Sequence, residues 1–237
     1  MCFSATASFT LSGALVPIGL YTIARVSRSN TAWLPFAAFP LIFGLQQSVE
    51  GFVWLGLRTE DSALVGIASR TYLFFSHFFW LLWVPFSVWM LEQDPARKRI
   101  VAVLTGVGCV YGLSLFLPAI TMPGGLVVKL VHRSLKYETR FFYDVAINRT
   151  TLKLFYAAII VSALFLSTDR RIQLFGALVA ASLLITYAFF AYALISVWCF
   201  FAAILSVYLA AVLFLKDRHA PQIPGSAELS KRGRRLP

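Results

Sequence analysis

The stretch LIFGLQQSVEGFVWLGL, residues 41–57, decides how the rest of the chain reads. It is long and apolar enough for a membrane-spanning helix, yet it carries Gln46, Gln47 and Glu50. Gln46 and Glu50 are four apart, and Gln47 and Glu50 three apart, so all three can share one helix face. A carboxylate at membrane depth is costly unless it is paired, protonated or turned toward a cavity. Glu50 is therefore the first candidate site residue. A buried structural hydrogen bond, to a glutamine or to Arg70, is the plainer use of the same group.

Outward from this stretch the apolar pattern repeats. Hydrophobic residues make up 59% of the chain, charged residues only 13%, and the mean hydropathy is +0.77, which together describe an integral membrane protein. Seven spans follow, over residues 7–24, 33–57, 69–91, 100–120, 152–167, 172–190 and 192–215. The predicted fold is an all-α bundle of seven transmembrane helices, in the cell inner membrane or plasma membrane. The helical domain takes residues 1–216 and includes an extracytoplasmic loop, 121–151. The first span is no typical signal peptide, because no basic segment precedes it and no small-residue cleavage site follows a short apolar core.

The formal net charge of +11 invites a nucleic-acid reading, but membrane topology accounts for the basic residues, and no nucleic-acid partner is expected. Arg25 and Arg28 follow span one. Arg97, Lys98 and Arg99 follow span three, and Arg170 and Arg171 follow span five. With seven spans these groups share one side, the cytoplasm, which puts the N-terminus outside and the basic tail, residues 217–237, inside. The tail reads as a segment lying near anionic lipid, or holding a partner subunit. The loop 121–151 conflicts with the rule, since it lies outside yet carries Lys129, Arg133, Lys136, Arg140 and Arg149. Pro123-Gly124-Gly125 and a loose alternation after it suggest a small hairpin or an interfacial helix there.

Helical rise, about 1.5 Å per residue, sets side-chain depth. Glu50, His77 and Cys199 each fall about 10 Å below the outer surface on that rise. Tyr156 falls slightly shallower, and Cys2, Ser4 and Ser8 begin at the same surface. One polar layer, with Trp198 beside it, is therefore expected between spans two, three and seven, capped by the N-terminus. The pocket candidates are Glu50, Gln46, Gln47, His77, Arg70, Tyr156, Ser4, Ser8 and Trp198. Cys2, Glu50, His77 and Cys199 form a candidate metal set suited to zinc or copper. Cys2 and Cys199 could equally bridge as a disulfide. A helix-packing histidine and small apolar cysteines are the plainer readings of these residues. Cys109 sits in Gly108-Cys109-Val110-Tyr111-Gly112, a spacing that serves close helix packing.

No catalytic motif is present: no GxSxG, HExxH, P-loop or GxGxxG. A retinal-binding reading fails because Lys216 lies at the end of the last span. The residues leave three functions open: a pocket for a metal or small molecule, a non-catalytic subunit of a larger membrane complex, and a transporter. Against the last stands the lack of visible inverted repeats.

Three stretches carry a resemblance: MCFSATASF (1–9), FGLQQSVEGFVWLGL (43–57) and SVWCFFAAILS (196–206). Together they resemble a family of uncharacterised bacterial multi-pass membrane proteins. The resemblance implies a helical membrane fold and no established activity. It also implies that Cys2, Ser4, Ser8, Gln47, Glu50, Trp198 and Cys199 belong to recurring motifs.

Overall fold

The structure, a computed structural model, describes residues 4–131 and 134–218. The described residues are mostly helical and include one hairpin, and most of the helices start where a short polar side chain satisfies a free backbone N–H. Ser4 caps α1 (Ala5–Val26) by accepting from Ala7 N at 3.2 Å. The expected second span is broken: a 3₁₀ turn (Thr31–Trp33) and a one-turn helix, α2 (Leu34–Ala37), precede α3 (Phe39–Arg58). Pro35 and Pro40 explain the break, since each fits a first helical turn and neither continues the preceding one.

Asp61 caps α4 (Ser62–Leu73), so the third apolar stretch starts seven residues before the predicted 69. That stretch contains a π-helical segment, Phe74–Phe79, which leads into α5 (Trp80–Leu91). Asp94 and Pro95 start α6 (Pro95–Thr121), and Asn148 starts α7 (Arg149–Leu166). Asp169 starts α8 (Arg170–Phe190), which a 3₁₀ turn (Ala191–Ala193) joins to α9 (Leu194–Arg218).

Among the described residues, six helical stretches are long and apolar enough to cross a membrane. The last, Arg170–Phe214, is 45 residues long and folds back on itself. The Tyr208 hydroxyl donates to the Arg171 carbonyl at 3.3 Å, and the Phe175 and Tyr208 rings stack with centroids 6.4 Å apart. Thirty-seven positions of continuous helix would hold those residues roughly 55 Å apart, so α8 and α9 lie side by side.

Small residues let the helices approach. On α1 a Cβ at Gly19 would collide with the Leu41 backbone, and the Ser12 and Ser48 hydroxyls meet at 2.5 Å. On α6 a Cβ at Gly108 would collide with the Leu81 carbonyl, and one at Gly112 would stand 3.0 Å from Phe78 Cα. The Gly108–Gly112 spacing thus seats α6 against α5 and the π segment, as close packing requires.

The two ends of the bundle differ. At one end the loops before α6 and α8 are tied together by Glu92, which is almost fully buried. Its carboxylate accepts from the Thr168 N–H at 2.8 Å, the Thr168 hydroxyl at 3.1 Å, and the Gln93 and Asp94 N–H groups at 2.9 Å. Burial pushes this carboxyl up, and the hydrogen bonds from Asp94, Thr168 and Gln93 outweigh it, holding it below the usual carboxylate range.

At the other end sits a hairpin, one of the two forms expected after Pro123-Gly124-Gly125: β1 (Leu126–Val131) pairs antiparallel with β2 (Ser134–Thr139). β2 alternates with period two, burying Leu135, Tyr137 and Thr139 against the bundle. Tyr137 stacks on the fully buried Tyr72 of α4 with centroids 4.8 Å apart. The hairpin is therefore packed onto the helices by its own small core, which includes Val53, Leu73 and Ala119.

Candidate functional site

Beneath the hairpin lies a cavity of about 620 Å³, within the range of small-molecule sites. It is walled by the π segment, α6, β2, the start of α7 and the start of α9. His77, Tyr156, Trp198 and Cys199, four of the expected site residues, line it. Among the described residues the hairpin covers this space, and residues 1–3 of the expected N-terminal cap lie outside them. The Tyr72–Tyr137 stack holds β2 across the helix ends. Ser4 instead caps α1, and Ser8 is buried with its hydroxyl unpartnered among the described residues.

Behind the cavity wall is a buried polar cluster. Glu50 is fully buried on α3, and the Ser196 hydroxyl of α9 donates to Glu50 Oε1 at 2.6 Å. Trp80 Nε1 donates to Gln46 Oε1 at 2.7 Å, and the Phe43 ring stacks on Trp80 with centroids 3.9 Å apart. The Cys199 thiol faces Tyr72, Gln46 and Glu50. Gln47 is fully buried too, and neither of its amide atoms has a hydrogen-bond partner among the described residues. Leaving a buried amide so costs about 1–3 kcal/mol.

Arg70 bonds backbone carbonyls and not Glu50. Its Nε donates to the Ala119 carbonyl at 3.3 Å and its Nη1 to the Gly66 carbonyl at 3.0 Å, so it ties α4 to α6 from an exposed position.

His77 occupies the π segment. The Ser76 hydroxyl and His77 Nδ1 are 3.0 Å apart, and the imidazole lies 6.1 Å from the Phe141 ring. A π segment adds a residue to the turn and displaces side chains from the regular helical spiral, a device frequent at functional sites. Tyr156 and Trp198 meet edge-to-face, with centroids 5.8 Å apart. Trp198 Nε1 is buried, with no hydrogen-bond partner among the described residues.

Among the described residues no three His, Cys, Asp or Glu side chains come together as a metal set. Cys109 and Cys199 are free thiols, and Cys2, the fourth member of the expected zinc or copper set, lies outside the described residues.

Three of the four cations around the cavity come from the segment whose basic residues conflicted with the orientation rule, and Lys153 follows it. Lys136, Arg140, Arg149 and Lys153 line the cavity, and Glu138 is the one carboxylate among its lining residues. Glu138 is bridged by Lys129 at 2.6 Å and Lys136 at 2.8 Å, and these hydrogen bonds hold its carboxyl at about 2. It is thus ionised at neutral pH, and cations still outnumber it. Arg149 is fixed: its Nη2 donates to the Thr139 carbonyl at 2.7 Å and to Asp144 Oδ2 at 2.9 Å, and its guanidinium lies 5.4 Å from the Phe141 ring centroid.

Sequence reasoning missed Tyr72, Ser196 and this ring of cations as site residues. Ser196 had a signal, since it opens the SVWCFF stretch one turn before Phe200. Tyr72 had none, because its importance comes from a ring 65 positions later.

Neither a curated protein nor a solved structure matches the chain. A family model described as a family of unknown function, DUF6629, matches residues 1–224, and the chain belongs to that family.

Proposed function

We propose that this protein is a seven-crossing membrane protein whose outer end holds a binding site for a small molecule, roofed by the hairpin. The observation that carries the reading is the cavity itself: about 620 Å³ of space under the hairpin, with four cations on its lining and the unpartnered Trp198 N–H deeper in its wall. Supporting seven crossings, α8 and α9 are antiparallel, and the loops at Glu92 and Thr168 are bonded at the end opposite the hairpin. Arg97, Lys98, Arg99, Arg170 and Arg171 belong to that opposite end, as a cytoplasmic face requires. The buried cluster of Glu50, Gln46 and Ser196 stiffens the wall between α3 and α9.

Accessibility tests this. Ile195 lines the cavity and Leu113 lies on an exposed apolar face of α6. In a background free of native cysteines, Ile195→Cys is labelled by a small charged thiol reagent added to intact cells, and Leu113→Cys is not. Labelling of Ile195→Cys only after the reagent reaches the cytoplasm would contradict the outward opening.

A further inference from the structure

We infer that the cavity takes a single-chain amphiphile with an anionic head, a long-chain carboxylate or alkyl phosphate. The inference rests on the reading of this space as a small-molecule site and names its ligand class. Three independent features converge on it.

The first is charge without matching charge. Arg149 and Lys153 are four apart on α7, hence on one face, and Lys136 approaches them from β2. Lys136 shares Glu138 with Lys129, and the Arg149 guanidinium is divided among Asp144, the Thr139 carbonyl and the Phe141 ring. Lys153 and Arg140 have no carboxylate partner within ion-pair distance among the described residues. Cations held this close repel one another, and a bound anion removes that repulsion while accepting their hydrogen bonds.

The second is the wall. Beside the cations the lining carries Leu115, Leu135, Leu152, Ile195, Tyr156 and Trp198. A free inorganic anion would leave that apolar surface unused, and a neutral hydrocarbon would leave the cations unanswered. A head joined to a tail satisfies both, at roughly 25 cal/mol per Å² of apolar area covered.

The third is position. The cations come from the hairpin, the segment after it and the first two turns of α7, whereas Leu115 of α6 and Tyr156 of α7 lie further into their helices. That order, charge at the helix ends and hydrocarbon within, matches the order of head and tail in a leaflet.

The same chemistry comes from a lipid-like molecule or, in part, from a free anion, and one titration separates them. The full chain in phosphatidylcholine nanodiscs is titrated calorimetrically with dodecyl phosphate, dodecanol and inorganic phosphate, with empty nanodiscs subtracted. Dodecyl phosphate should bind about tenfold or more tighter than either control, the worth of one or two charge-assisted hydrogen bonds. An Arg140→Gln/Lys153→Gln variant, checked for an unchanged melting temperature, should lose that advantage and keep the dodecanol affinity. Equal binding of dodecanol would overturn the anionic head and leave the binding site standing. Equal binding of inorganic phosphate would overturn the tail. Binding of dodecyl phosphate unaffected by the double variant, or no binding of any probe, would overturn the inference. The outward opening of the cavity is read separately, by the labelling of Ile195→Cys.

Discussion

Ser196 and Glu50 stand 146 positions apart in the chain, and the Ser196 hydroxyl donates to Glu50 Oε1 at 2.6 Å inside the bundle. The bond ties α9 to α3 where water does not reach, since both residues are fully buried. Ser196→Ala should cost about 1–3 kcal/mol of stability, because it strips a buried carboxylate oxygen of a donor. Glu50→Gln keeps the shape and removes the charge. In a double-mutant cycle read by thermal unfolding, the two changes should couple by about 1 kcal/mol or more. Strict additivity, or a Glu50→Gln protein as stable as the parent, would show that the charge is not used.

The close helix contacts predict a contrast among four glycines. Gly19→Ala and Gly108→Ala drive a methyl into the Leu41 backbone and the Leu81 carbonyl, and should destabilise by about 1–3 kcal/mol. Gly13→Ala and Gly106→Ala meet nothing within 4 Å and should leave the melting temperature unchanged or raise it. Equal losses at all four positions would mean that α1 and α6 do not pack as described.

Glu92 predicts an acid limb. Its carboxyl is held below the usual range in the folded protein, so its stabilisation is complete above the unfolded value, near 4.3, and is lost as pH falls through the folded value. Thermal unfolding followed from pH 7 down to pH 3 should show this loss, and Glu92→Gln should be less stable at neutral pH with a flatter acid limb. A variant that kept the parent's pH profile would remove Glu92 from the junction between the two loops.

Orientation is tested at two points. Val145, beside the hairpin, is fully exposed, and Lys98 begins α6 at the opposite end. In intact cells, Val145→Cys should react with an impermeant maleimide and Lys98→Cys only after permeabilisation. The reverse pattern would invert the topology.

How much of this was legible in the sequence follows from what each signal measures. Apolar run length located every long helix, because crossing a hydrocarbon layer and packing in a helical bundle both demand it. Asp61, Asp94, Asn148 and Asp169 marked helix starts that the apolar runs alone placed up to seven residues late. Rise per residue brought Glu50, His77, Cys199 and Tyr156 to one depth, and the structure keeps these near the cavity or its wall. Ser8 shows the limit, since depth leaves open which neighbour a side chain faces. The π segment at Phe74–Phe79 left no mark in FFSHFF, because its residues read as ordinary helix. The basic residues of 121–151 were visible, but as an exception to the charge rule. Their role at the cavity depends on the stack of Tyr137 on Tyr72, a contact that neither residue announces alone.

The central claim, that the space under the hairpin is a binding site, is tested most directly by native mass spectrometry of the full chain released from its own membrane in neutral detergent. The expected result is a parent protein that carries a bound small molecule, an Ile195→Trp/Leu115→Trp variant with the cavity narrowed from two walls that carries less of it, and a Leu113→Trp control that matches the parent. A parent with no adduct, or an adduct undiminished in the Ile195→Trp/Leu115→Trp variant, would contradict a binding site under the hairpin.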